Sequence, residues 1–218
     1  MAKKSIVAVI GLGRFGKSLA LELMSEEAEV LGIDSNPKTI ESVAGRLTHA
    51  VVADSTDAEA LEQLSVQECD RAVVGMGTNL EASILTTSVL VEMGIPHIWA
   101  KAISNSHARI LRQIGAHHVV RPEHDMGIRV AHLVRGRMLD FIEFDDDYAM
   151  VKTRAPDYMV GKTLRESAAR RQHGVTIVAI KRAGEGFTYA TAETVVTEGD
   201  ILIVSGKIMD TEQFSEIT

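Results

Sequence analysis

Ser5-Ile6-Val7-Ala8-Val9-Ile10-Gly11-Leu12-Gly13-Arg14-Phe15-Gly16 is the stretch on which the reading of the whole chain turns. A run of apolar residues, unbroken rather than alternating, suits a strand covered on both faces. A G-x-G-x-x-G follows it at once and opens a helical pattern, and this context makes the glycines informative. Gly11 permits the tight turn, Gly13 lets backbone approach a phosphate, and Gly16 lets helix and strand pack closely. The helix that starts there offers unpaired N–H groups to an anion. The next apolar run ends at Asp34, 18 residues past Gly16, where a carboxylate can accept the hydroxyls of an adenine-bearing ribose. A plain tight turn with a surface aspartate is the competing reading.

Outward from this unit the rhythm repeats. Strands are predicted over Ser5–Ile10, Glu29–Ile33, His49–Ala53, Arg71–Met76, His97–Lys101 and His117–Val120. Helices are predicted over Phe15–Ser25, Pro37–Ala44, Asp57–Leu64, Leu80–Met93 and Ser106–Ile114. The expected fold is α/β, a Rossmann-like doubly wound parallel sheet. After Pro122 the pattern changes. Met126, Val130, Leu133, Val134 and Met138 form a helical stripe over about 125–138, and Asp145-Asp146-Asp147 reads as an exposed turn. A small α+β domain follows: strands Tyr148–Arg154, Val175–Lys181 and Ile201–Ser205, a short helix Lys162–Arg171, a hairpin turn at Ala183-Gly184-Glu185-Gly186, and a terminal helix Met209–Ser215. The expected organisation is a nucleotide-binding domain over 1–124, a connector segment over 125–147 and a small α+β domain over 148–218.

Composition narrows the function. A Rossmann domain takes roughly 120–150 residues, so the 218-residue chain leaves too little for a full catalytic domain. The net charge of −7 argues against non-specific nucleic-acid binding, which needs an excess of Lys and Arg. The single cysteine, Cys69, excludes an internal disulfide and fits a reducing compartment. The start, Met-Ala-Lys-Lys, followed by a short glycine-interrupted apolar run, does not read as a signal peptide, and no apolar run is long enough to span a membrane. No G-x-S-x-G, H-E-x-x-H or P-loop sequence occurs, so the expectation is a protein that is not an enzyme. His117, His118 and His124 are the nearest approach to a metal cluster, but strand alternation sends His117 and His118 to opposite faces.

Candidate ligand residues sit where ligands bind in open α/β sheets, at the carboxyl ends of the strands. Asp34, with Ser35 and Asn36, follows the second strand. Asp54 follows the third and can border an adenine. Gly75-Met76-Gly77-Thr78-Asn79 follows the fourth and lets backbone approach a ligand, with Gly77 and Asn79 in the candidate set. Lys101 ends the fifth and can meet a phosphate. Glu123 follows the sixth and can hold a hard cation through oxygen. Arg14 places a phosphate-binding guanidinium inside the glycine loop, beside Phe15. Each of these taken singly also reads as an ordinary surface or capping residue.

Gly11-Leu12-Gly13-Arg14-Phe15-Gly16, Ile98-Trp99-Ala100-Lys101-Ala102 and Pro122-Glu123-His124-Asp125-Met126-Gly127 together resemble the RCK regulatory subunits of Ktr/Trk potassium transporters, along essentially the whole chain. The resemblance implies an RCK-N Rossmann domain over 1–124, a dimerisation segment within 125–147 and a ligand-sensing RCK-C (TrkA-C) domain over 148–218. It implies cytosolic dimers assembled into octameric rings, peripheral on the inner face of the membrane through a potassium-transporting partner. It also implies ATP and ADP as competing ligands, with Asp34 on the ribose and Asn36 nearby. Arg14 would reach the terminal phosphate of nucleotide in the neighbouring subunit, and Lys101 would approach phosphates. Glu123 would help bind Mg, Ca or Na ion at the dimer interface. NAD(H) is the alternative ligand. Cyclic di-AMP between two C-terminal modules would involve Leu164 and Arg170, although Leu164-Arg165 stands where the family usually has an apolar pair. An NAD-dependent oxidoreductase is the alternative from another class, and a redox-sensing repressor a third reading, without a basic helix–turn–helix to support it.

Overall fold

The computed structural model describes residues 5–145 and 147–217. The chain divides into two compact units, one ending at His124 and the other beginning at Asp125.

In the first unit six parallel strands run in the order β3-β2-β1-β4-β5-β6. They are β1 (Ile6–Ile10), β2 (Glu29–Asp34), β3 (His49–Val52), β4 (Arg71–Val74), β5 (His97–Lys101) and β6 (His118–Val120). The helices between them are α1 (Arg14–Ser25), α2 (Pro37–Glu41), α3 (Ala58–Gln63), α4 (Leu80–Glu92) and α5 (Asn105–Gln113). The doubly wound sheet is therefore the expected one. Its unbroken apolar strands feed two cores. Ala8 and Ile10 face one core with Leu61, Leu90 and Leu111, while Val7 and Val9 face the other with Leu12, Ala20 and Val30. Local signals set the helix starts. Asn36 accepts from Lys38 N–H with Pro37 at the first position, and Asp57, Asn79 and Ser104 cap α3, α4 and α5.

Helix α6 (Pro122–Arg135) begins at the end of the first unit and continues into the second, whose antiparallel sheet has the order β10-β9-β11-β8-β7. The strands are β7 (Asp140–Asp145), β8 (Tyr148–Arg154), β9 (Thr176–Lys181), β10 (Phe187–Tyr189) and β11 (Ile201–Lys207); the helices are α7 (Leu164–Ser167), α8 (Ala169–His173) and α9 (Ile208–Glu216). One core, with Phe141, Val151, Leu202, Val204 and Phe214, serves this sheet. The hairpin turn at 183–186 joins β9 to β10 as expected.

Several sequence expectations shift. The single helix over Lys162–Arg171 is two, α7 and α8, because Ala168 takes a left-handed φ of +50° between them. The helix expected over 125–138 runs over Pro122–Arg135, since proline fits the first turn, where its missing N–H costs nothing. The strand expected to reach Met76 ends at Val74, and Met76 turns into the cleft described below. Strands β7 and β10 have no counterpart in the sequence reading. The proposed acidic turn follows β7; Asp147 lies in a turn, and Asp146 is outside the described residues.

Candidate functional site

The glycine loop is held as a backbone junction. Gly11 takes φ +86° and donates its N–H to the Ile33 carbonyl at 2.8 Å. A Cβ on Gly16 would lie 2.0 Å from the Gly11 carbonyl oxygen, and one on Gly75 would lie 2.8 Å from the same atom. The loop, the first turn of α1 and the end of β4 thus meet where no side chain fits. Leu12 is the loop's anchor, 2% exposed. Burying such a side chain contributes about 2 kcal/mol. Room for it comes from Gly32 on β2, whose Cβ would meet Leu12 at 3.0 Å and Leu47 at 2.6 Å. The sequence reading did not single out Gly32; a glycine inside an apolar strand is a signal of close approach. Gly13 differs from the others. It caps α1 without a side-chain cap, and its Cβ direction is empty to 4 Å, so the helix N-terminus stays open.

Asp34 is oriented by backbone. Leu12 N–H donates to its Oδ2 and Asn36 N–H to its Oδ1, both at 2.8 Å. Lone pairs remain on both oxygens for a ligand's hydroxyls. Asp54 is fixed likewise, its Oδ1 accepting from Thr56 N–H at 2.9 Å and Thr56 Oγ1 at 2.7 Å, and these bonds hold its carboxyl below the usual range. Gly11, Asp34, Ser35, Asp54 and Asn79 all line one cleft of about 420 Å³. It opens at the carboxyl ends of β1 to β4, over the switch point where the strand order reverses between β1 and β4. Met76, Thr78 and, from α4, Glu81, Ala82 and Leu85 complete it. The helix residues were missed because their spacing reads equally as a packed face. Asn79 uses its Oδ1 to cap α4 through Ala82 N–H.

The remaining candidates gather beside this cleft around Lys101, which is buried at the end of β5. Its Nζ lies 5.5 Å from the centre of the Phe15 ring and 2.5 Å from Glu123 Oε1. The Gly77 backbone packs against Lys101 and Ile103; a Cβ there would meet Ile103 at 2.9 Å and Lys101 Cε at 3.5 Å. Lys101 and Glu123, read separately from the sequence as phosphate and cation ligands, are thus paired with each other. The Lys101 hydrogen bond, Glu123's own N–H and the nearby charge of Arg14 all hold the Glu123 carboxyl below its ordinary value. Arg14 itself is exposed on the first turn of α1. Among the described residues no three His, Cys, Asp or Glu side chains come together as metal ligands.

In the second unit Leu164 and Arg170 line a pocket of about 510 Å³ together with Arg165, Arg171, Thr176 and Thr191. Arg170 Nε donates to Thr176 Oγ1 at 3.2 Å, while Arg165 turns to Glu193 at 2.5 Å.

The TrkA-N domain family matches residues 7–122, and the TrkA-C domain family matches residues 148–218. Ktr system potassium uptake protein C of Bacillus subtilis (strain 168) is 39% identical over 214 residues, covering 98% of this chain and 97% of its own length. Ktr system potassium uptake protein A of the same organism is 36% identical over 213 residues, covering 97% and 96%. Among solved structures, the GsuK channel bound to NAD superposes with a TM-score of 0.66 at 19% identity, over 98% of this chain and 39% of that one. At that identity the likeness is one of fold.

Proposed function

Because the chain belongs to the family of Ktr-system potassium uptake subunits built from a TrkA-N and a TrkA-C domain, we propose that it senses ATP against ADP at the sheet-edge cleft and thereby gates a membrane potassium-transporting partner. The observation that carries this reading is the preorganised carboxylate of Asp34, held by the Leu12 amide of the glycine loop and the amide of Asn36, which caps α2, in a cleft that Gly11 of the same loop also lines. Ribose hydroxyls go to Asp34, the adenine toward Asp54, and the phosphates toward the α1 amides. Among the described residues no helix is long and apolar enough to cross a membrane, which supports a pore supplied by another chain. The subunit is then cytoplasmic and peripheral, a homodimer assembling into an octameric ring.

Lys101 and Glu123 are part of the switch. A γ-phosphate near Lys101 competes with Glu123 for the ammonium, and a carboxylate so released can take a hard cation, Mg, Ca or Na. Glu123 brings one carboxylate, so the other oxygens must come from phosphates or from a second protomer. Arg14, exposed and close enough to Glu123 to lower its carboxyl, would meet the terminal phosphate of a neighbour's nucleotide. A ligand shifts a conformational equilibrium only by its differential affinity for the two states, and the third phosphate is the only part of ATP that ADP lacks. In the second unit, Arg170 and Leu164 would contribute to a cyclic di-AMP site, with Arg165 drawn aside by Glu193.

NAD(H) is the alternative ligand, since Asp34 and the glycine loop suit it equally and the GsuK neighbour carries it. Mass spectrometry of nucleotide released from freshly purified, denatured protein separates the two. ATP or ADP is expected in the wild type and neither in Asp34→Ala; NAD alone would overturn the adenosine-phosphate reading.

A further inference from the structure

Among the described residues α7 starts with a reciprocal cap, and α5 with an unusual variant in which the returning side chain binds the residue before the N-cap. At α7 the Thr163 hydroxyl accepts Glu166 N–H, and Glu166 Oε2 accepts Thr163 N–H, an ordinary capping box. At α5 the Ser104 hydroxyl accepts His107 N–H at 3.1 Å, but the side chain that reaches back is an imidazole. His107 Nδ1 accepts Ile103 N–H at 3.4 Å. That bond needs a lone pair on Nδ1, which places the ring proton on Nε2. Nε2 is buried and has no partner, in a residue only 2% exposed. A buried orphan donor is costly, and its retention asks for a reason.

The segment this imidazole fixes is the rim of the proposed nucleotide site. Ile103 packs on the Gly77 backbone, and Lys101 stands two residues before it against the same glycine. Resting on the nucleotide reading above, we infer that His107 is a titratable positioning residue: its neutral ring holds Ile103 and the Gly77 loop in the binding geometry, and its protonation releases them. A protonated Nδ1 cannot accept from Ile103. Burial already holds the imidazole below its ordinary 6.5, the direction expected when the folded state requires the neutral form. The surrounding elements add little charge. Lys101 is engaged by Glu123, Arg121 after β6 by the Asn105 side chain, the buried face of α4 is Ser83, Thr86, Thr87 and Leu90, and Arg109 and Arg112 of α5 itself are exposed. With the folded value depressed below 6.5, the ring stays neutral and the bond to Ile103 intact as pH falls past 6.5, and the bond is lost as pH falls through the folded value.

The test compares wild type with His107→Asn, whose Oδ1 can replace Nδ1 as acceptor but does not titrate, and with His107→Leu, which keeps bulk and loses the acceptor. ATP affinity is measured by calorimetry at pH 7.5 and 5.5 on the full chain. Wild type should lose roughly fivefold in affinity at pH 5.5 beyond the change seen in His107→Asn, the worth of about one hydrogen bond. His107→Leu should be weakened at both pH values, and the asparagine variant should recover wild-type affinity at pH 7.5. Equal pH responses in wild type and His107→Asn would overturn the inference. Nitrogen NMR of the His107 ring provides a readout that needs no ligand. An Nε2–H tautomer at pH 7.5 supports the cap and an Nδ1–H tautomer overturns it, even if ATP binds to none of the proteins, a result that would strike the nucleotide reading instead.

Discussion

The two sheets of this chain solve different problems. The parallel sheet of the first unit is covered on both faces by two separate cores, so its central strand β1 is apolar at every position. The antiparallel sheet of the second unit has one core, and β8 alternates buried with less buried residues along its length. A sheet buried on both sides leaves its ligand site to the strand ends, where loops emerge, and that is where the glycines, Asp34, Asp54 and Lys101 are found. A sheet with one core leaves room for a pocket on its flank, where Arg170 lies with residues of α7, α8 and β9.

The largest expected effects break one unit at a time. Gly16→Ala forces a Cβ to within 2.0 Å of the Gly11 carbonyl. It should abolish nucleotide binding and cost several kcal/mol of first-unit stability, on the scale of severe backbone clashes. Phe214→Ala empties a fully buried site in the other core. It should cost about 3–5 kcal/mol, chiefly in the second unit. Cys69 separates these outcomes, because it is the chain's single thiol, lies in the first core, and is pushed up to about 11 by burial and the neighbouring acids. Thiol labelling should accelerate sharply in Gly16→Ala and far less in Phe214→Ala; equal acceleration would mean that the two units melt as one.

Intermediate effects separate fold from function. Gly13→Ala puts a methyl into open space at an ordinary φ of −62°. Its melting temperature should stay near that of wild type while nucleotide affinity falls at least tenfold, because the methyl occupies the approach to the α1 amides. A parallel loss of stability would make Gly13 a structural glycine. The smallest effect is at the α7 cap, where Glu166→Ala should lower the melting temperature of the second unit only slightly and leave nucleotide affinity untouched.

The same contrast explains how much was legible beforehand. The first unit was readable because parallel strands and glycine turns have strong local signatures, and five of the candidate residues, Gly11, Asp34, Ser35, Asp54 and Asn79, came together in one cleft. The pairing of Lys101 with Glu123 was not readable, because it joins the ends of β5 and α6 across 22 residues of sequence. In the second unit both edge strands were missed. Strand β7 mixes Asp140, Glu143 and Asp145 with Phe141, Ile142 and Phe144, and β10 is exposed throughout, so neither shows a clean buried face. Gly32 was visible, but its purpose depends on where Leu12 lands, which only the folded loop defines.

Discrimination of ATP from ADP, as proposed, falls to Arg14 reaching the nucleotide of a neighbouring subunit. Calorimetric titration of both nucleotides into wild type and Arg14→Ala measures it. Wild type should prefer ATP, and Arg14→Ala should lose most of that preference while ADP binding stays nearly intact. An equal loss for the two nucleotides, or a wild type that binds them indifferently, would contradict it.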